Sequence, residues 1–151
     1  MINPVSSRTG FTLADLMADR LSAACDKPAM PNPIVHWEIV SAENGKELQQ
    51  FYADLFGWEV KTDNPFDYGT VDTHAGGING GIGPTTGPTR VTIYAEVDDL
   101  HAYLERAVSL GASVLLEPHE VIPGQVTLAL FADPAGNITG MLKSKGTEQG
   151  A

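Results

Sequence analysis

From Pro33 onward the chain is patterned in short periods. Val35, Trp37 and Ile39 alternate with His36 and Glu38, a two-residue period that predicts a strand. Leu48, Phe51, Tyr52, Leu55 and Phe56 then recur at helical spacing, with Gly57 where a terminating C′ glycine belongs. Three short strands are predicted at 58–62, 66–73 and 77–82, and the glycine- and proline-rich stretch 83–88 reads as a linker. The same order then returns. Val91, Ile93, Ala95 and Val97 alternate with Thr92, Tyr94 and Glu96. Asp98 or Asp99 can cap a helix carrying Leu100, Tyr103, Leu104 and Ala107, which Gly111 ends. Strands are predicted at 113–117, 125–131 and 137–143, with Asp133-Pro134-Ala135-Gly136 turning between the last two.

The two stretches can be laid over each other. Val35-His36-Trp37-Glu38 falls on Val91-Thr92-Ile93-Tyr94, and Gly77-Ile78-Asn79-Gly80-Gly81-Ile82 on Gly136-Asn137-Ile138-Thr139-Gly140-Met141. Neither repeat can bury its apolar face alone, so the two must pair. The expected fold class is α+β: two βαβββ units, about 33–83 and 89–143, joined into one curved, cup-like mixed sheet with helices on its outer face. Residues 1–32 form an extension. Thr12-Leu13-Ala14-Asp15 has the pattern of a capping box, and Leu13, Leu16, Met17 and Leu21 predict a short amphipathic helix before a proline-rich linker. Residues 144–151 are expected to be a flexible tail.

Composition narrows the partners. A formal net charge of −10 opposes a phosphate backbone and anionic membrane surfaces, and favours a cationic ligand where it favours any. The single cysteine, Cys25, excludes an intrachain disulfide and a cysteine-based zinc site. No apolar run reaches membrane-spanning length, and the N-terminus has no signal-peptide pattern, so a cytoplasmic protein is expected.

In both leading strands one parity is wholly apolar. Val35/Trp37/Ile39 and Val91/Ile93/Ala95/Val97 should lie under the helices, leaving His36/Glu38 and Thr92/Tyr94/Glu96 on the concave face. Those polar groups read either as a ligand cavity or as a solvated sheet face. His36 can exchange protons near neutral pH, and Glu38 shares its face, so the two are the candidate acid/base pair. Tyr94 can donate to a ligand, and Thr92 and Glu96 lie on the same parity. Asp72 and His74 fall near a strand end; His101 and His119 read as surface, His119 in a loop; Trp37 and Trp58 read as core. Gly76-Gly77-Ile78-Asn79-Gly80-Gly81 does not open onto a helix, which argues against a phosphate cradle.

Three segments, Val35-His36-Trp37-Glu38-Ile39-Val40, Phe51-Tyr52-Ala53-Asp54-Leu55-Phe56-Gly57-Trp58-Glu59-Val60 and Phe131-Ala132-Asp133-Pro134-Ala135-Gly136-Asn137, resemble the vicinal oxygen chelate superfamily of glyoxalases, bleomycin-resistance proteins and extradiol dioxygenases. The resemblance runs over about 33–143. In metal-dependent members it implies four cup-lining ligand positions, which here fall on His36, Thr92, Gly140 and the vicinity of Gly81. Only His36 is a competent ligand, so no metal or other cofactor is expected, and a divalent ion held by His36, Glu38 and Glu96 is the disfavoured alternative. The two glycines would leave room in the cup for an organic ligand or relieve crowding between strands. The resemblance thus implies a homodimeric binder of a small cationic or aromatic molecule, with Thr92, Tyr94, Glu96, Gly81 and Gly140 as ligand-binding positions. The alternative is a lyase, isomerase or oxygenase using His36 and Glu38.

Overall fold

The computed structural model describes residues 31–145. The N-terminal helix expected from Leu13 to Leu21, and Cys25, lie outside the described residues. The elements run β1 (Ile34–Ser41), α1 (Gly45–Phe56), β2 (Glu59–Lys61), β3 (Gly69–Asp72), β4 (Gly80–Pro84), β5 (Arg90–Glu96), α2 (Leu100–Ser109), β6 (Ser113–Ile122), β7 (Val126–Ala132) and β8 (Ile138–Ser144). This is the predicted βαβββ order twice over. The eight strands form one open, curved mixed sheet in the order β2-β3-β4-β1-β5-β8-β7-β6. β1 and β5, the leading strands of the two repeats, meet antiparallel at its centre, and each pairs parallel with the last strand of its own repeat.

Local chemistry sets the boundaries. Gly57 adopts a left-handed φ of 69° and returns its N–H to the Ala53 carbonyl at 2.8 Å, which closes α1. Asp99 caps α2 by accepting from the Ala102 N–H at 3.0 Å. Asp133 ties the β7–β8 turn by accepting from the backbone N–H groups of Ala135 and Asn137, each at 2.9 Å. Gly45, the first residue of α1, leaves no room for a side chain: an added Cβ would stand 2.6 Å from the Pro84 nitrogen.

α1 packs on β4, β1 and β2, and α2 on β6, β7 and β8. Under α2, Val97, Leu100, Leu104, Ala129 and Met141 form a core, with Tyr103 and Phe131 packed against it. At the end of α1 the Trp58 ring sits 5.0 Å from Trp37 and 4.8 Å from Phe56, so both tryptophans belong to an aromatic cluster. One expectation fails here. Val91 and Ile93 share the helix-side face, by their register with Ile39 and Trp37, yet are 67% and 45% exposed. α1 lies chiefly over β4, and α2 over β6 and β7, which leaves the middle of β5 open. Boundaries also move: β3 begins at Gly69 rather than at Phe66, which leaves Tyr68 in a loop. His119 lies within β6 rather than in a loop, and Ser144 ends β8 rather than beginning a tail. Among the described residues, no helix is long and apolar enough to cross a membrane.

Candidate functional site

Cross-strand register brings the candidate polar residues to the concave face. His36 stands opposite Tyr94, and Glu38 opposite Thr92. Tyr94 continues in register to Gly140, and Glu38 to Gly81. The five residues from β1 and β5, together with the two glycines, therefore lie on one surface, with Glu96 toward one end.

At its centre are two tyrosine hydroxyls. Tyr94 donates to Glu38 Oε2 at 2.6 Å. Tyr68 Oη and His36 Nε2 share a hydrogen bond of 3.0 Å. The Tyr94 ring also meets the His36 ring edge-on, with centroids 5.7 Å apart. Burial holds the His36 imidazole below its ordinary pKa, against the opposing pull of the Glu38 charge. Burial first, and the Glu38 charge second, push both phenols well above the usual tyrosine range. The group at the centre is thus a neutral imidazole between two protonated phenols, with a carboxylate beside it. Among the described residues no lysine, arginine or histidine lies within ion-pair distance of Glu38.

The glycines gain their meaning from these rings. A Cβ on Gly81 would fall 1.8 Å from Tyr68 Oη, and one on Gly140 would fall 2.2 Å from Tyr94 Cδ1. The space that glycine opens in each terminal strand is filled by a tyrosine of the same face. Tyr68 is the residue that sequence pattern missed. It sits in the loop between β2 and β3, where no alternation reveals facing. Two buried or half-buried amides hold it there. Gln49 of α1, 8% exposed, donates Nε2 to the carbonyls of Asp67 at 2.8 Å and Ile82 at 2.7 Å. Asn64 accepts from the Tyr68 N–H at 3.2 Å and donates to its carbonyl at 2.5 Å.

Thr92 is 1% exposed, and its Oγ1 has no hydrogen-bond partner among the described residues. Such an orphaned hydroxyl in the floor of a polar surface is costly. Arg90 lies two positions before Thr92. Its Nη1 donates to Thr85 Oγ1 and the Pro88 carbonyl, while its Nε is buried without a partner. Glu96 accepts from Ser144 Oγ at 2.6 Å. It stands four strand positions beyond Thr92, hence about 13 Å along the sheet from Glu38. Asp72 and His74 are held apart from the centre, in an exposed cluster where His74 meets Glu59 at 2.5 Å and Asp72 at 3.4 Å. A groove of about 380 Å³ between α2 and β6, lined by His101, Leu104, Glu105, Val108, Val114 and Glu117, contains none of the concave-face residues.

The model of the glyoxalase-like domain matches residues 38–139. No curated protein matches the chain. Among solved structures, a glyoxalase/bleomycin resistance protein/dioxygenase superfamily member from Vibrio splendidus 12B01 is 17% identical, with a TM-score of 0.55 over 76% of this chain and 100% of that one. The Mn(II)-bound glyoxalase from Novosphingobium aromaticivorans is 22% identical, with a TM-score of 0.54 over 73% of this chain and 37% of that one. Methylmalonyl-CoA epimerase from Mycobacterium tuberculosis is 12% identical, with a TM-score of 0.58 over 85% and 99%. At these identities the likeness is one of fold.

A divalent ion needs several converging imidazole or carboxylate donors. Here two of the four implied positions are glycines under tyrosine rings, and a third is the sealed hydroxyl of Thr92. Among the described residues no three His, Cys, Asp or Glu side chains converge. Glu96 is too far along the sheet to join His36 and Glu38. The donor set does not fit a divalent metal.

Proposed function

The chain belongs to the glyoxalase-like domain family of the vicinal oxygen chelate superfamily, and from that membership we propose that it binds a small organic molecule on its concave face without a resident metal. The observation that carries the reading is the filling of the two glycine positions by Tyr68 and Tyr94. Where a metal relative would place ligands, this chain places hydrogen-bonding phenols around His36 and Glu38. Tyr94 and Glu96 line the surface against which the ligand rests, while Gly81 and Gly140 lie beneath the tyrosine rings and Thr92 is sealed in its floor. Isothermal titration and thermal shift against a panel of cationic, neutral and aromatic compounds test it. Saturable binding that is weakened in Tyr94→Phe is expected. No binding across the panel, or stoichiometric divalent metal in protein purified without chelators, would sink it. The same reading takes the protein as a cytoplasmic homodimer; a monomeric mass for the full chain in sedimentation would remove pairing from it.

A second reading has its own support. The His36 imidazole is kept neutral by burial within reach of a carboxylate and two phenols, which suits proton transfer in a lyase or isomerase. His36→Gln separates the two. Turnover of an identified substrate that survives the substitution would discard His36 as the base, whereas ligand binding with no turnover by the unaltered protein favours the binder.

A further inference from the structure

The two halves of the concave face differ in chemistry, and the difference identifies a class of ligand. Register carries the row His36–Tyr94–Gly140 onward to Leu130 of β7 and Leu116 of β6. The next row carries Glu96 to Leu142 and Leu128. These four leucines are half-buried and face away from the core under α2, which takes Ala129 and Met141 from the opposite parity of the same strands. Neither of the two described helices packs on that face. The corresponding strands of the first repeat show that folding does not demand apolar side chains there. On β2 and β3 the same face carries Glu59, Lys61, Thr70 and Asp72. A leucine wall therefore stands beside a polar floor whose carboxylate, Glu38, has no counter-ion among the described residues. Beside that carboxylate, the buried hydroxyl of Thr92 lacks a partner among the described residues.

Resting on the concave face as the binding surface, we infer that its ligand is an amphipathic organic cation: an aryl or alkyl body lies against Leu116, Leu128, Leu130 and Leu142, and an ammonium or similar donor sits at Glu38. Glu38 and Leu130 are three strands apart, so the ligand spans about 10–15 Å at the usual strand spacing. Apolar contact supplies most of the affinity, because leucine surface leaves water in proportion to area. The carboxylate supplies orientation and preference for positive charge. Among the described residues the one arginine on the floor, Arg90, lies beyond Thr92 and turns Nη1 toward the 85–88 linker, so an anionic head would have to recruit it instead.

Three probes of one shape test the inference on the full chain: phenylbutylammonium, phenylbutanol and phenylbutyrate, titrated calorimetrically at low salt. The ammonium compound is expected to bind at least about ten-fold tighter than the alcohol. Glu38→Gln should erase that preference, weakening the ammonium probe by about ten-fold more than the alcohol. Leu130→Ser should weaken the ammonium and alcohol probes about equally, by about ten-fold. Leu116→Ser, nearer the sheet edge, repeats the test if Leu130→Ser loses its circular dichroism signature. Alcohol or carboxylate binding as tightly as the amine would overturn the cationic head, and leucine variants without effect would overturn the wall. Failure of all three probes overturns this ligand class. Binding by other members of the broader panel would still leave the concave face as a binding surface; failure of that panel as well removes both readings.

Discussion

The two repeats build the same feature from different parts. In each, a glycine of the last strand faces the cup and a tyrosine ring lies over it. In the second repeat the ring comes from Tyr94, a residue of the central strand β5, rigidly paired with β1 on one side and β8 on the other. In the first it comes from Tyr68, delivered by the β2–β3 loop and held by amide hydrogen bonds from Gln49 and Asn64. A side chain on a strand is placed by the sheet. One on a loop is placed by whatever ties the loop down. The duplicated fold thus has one half of its polar centre fixed by architecture and the other fixed by two side-chain amides.

Substitutions at the two glycines sharpen that contrast. Gly140→Ala drives a Cβ against Cδ1, Cε1 and Cγ of Tyr94, the body of a ring that cannot retreat without moving β5. A loss of about 3 kcal/mol in chemical denaturation is expected, at the upper end for an overpacked methyl. Gln49→Ala comes next, at about 2 kcal/mol, because it strips the donor from two carbonyls at a buried position. Gly81→Ala strikes the tip of Tyr68 instead, and a loop can swing; about 1 kcal/mol is expected. Equal losses at the two glycines would break the distinction between strand-held and loop-held rings.

The smallest effect is on pH. His36 has a lowered pKa in the folded chain against an ordinary 6.5, so just below that value the unfolded chain binds more protons. Its contribution is present in full above about pH 6.5 and is lost as pH falls through the window toward the lowered value. Thermal midpoints of the wild type should therefore fall more between pH 7 and pH 5.5 than those of His36→Gln. In Gly81→Ala, where Tyr68 no longer seals the imidazole, a histidine titration by NMR should place His36 closer to its ordinary value. An unmoved titration would show that Tyr68 contributes nothing to its burial.

Where the chain alternates cleanly, its sequence is readable. Gly57, Asp99 and the Asp133 turn end or begin elements as expected, and the parity of β1 and β5 places His36, Glu38, Thr92 and Tyr94 together. Three features were hidden for physical reasons. Val91 and Ile93 are apolar on the helix side but lie between two helices that stop short of them. In β7, Val126–Ala132, both parities are apolar except at Thr127, so pattern could not tell the leucines of the cup from the alanine and phenylalanine of the core. Tyr68 lies where facing depends on Asp67 taking a positive φ of 54°, a conformation that no periodicity encodes.

The hydrogen bond between Tyr68 and His36 sets terms for any visitor. A solute reaching for Nε2 meets an occupant that is covalently part of the same molecule and re-binds after every excursion. Tethered groups of this kind compete as though present at millimolar concentration or above. The apparent affinity of an incoming group is reduced by the fraction of time the imidazole is already taken. Dilute solutes that offer only a single weak hydrogen bond compete poorly at that nitrogen. Only a molecule that gains contacts elsewhere on the concave surface can displace the resident phenol.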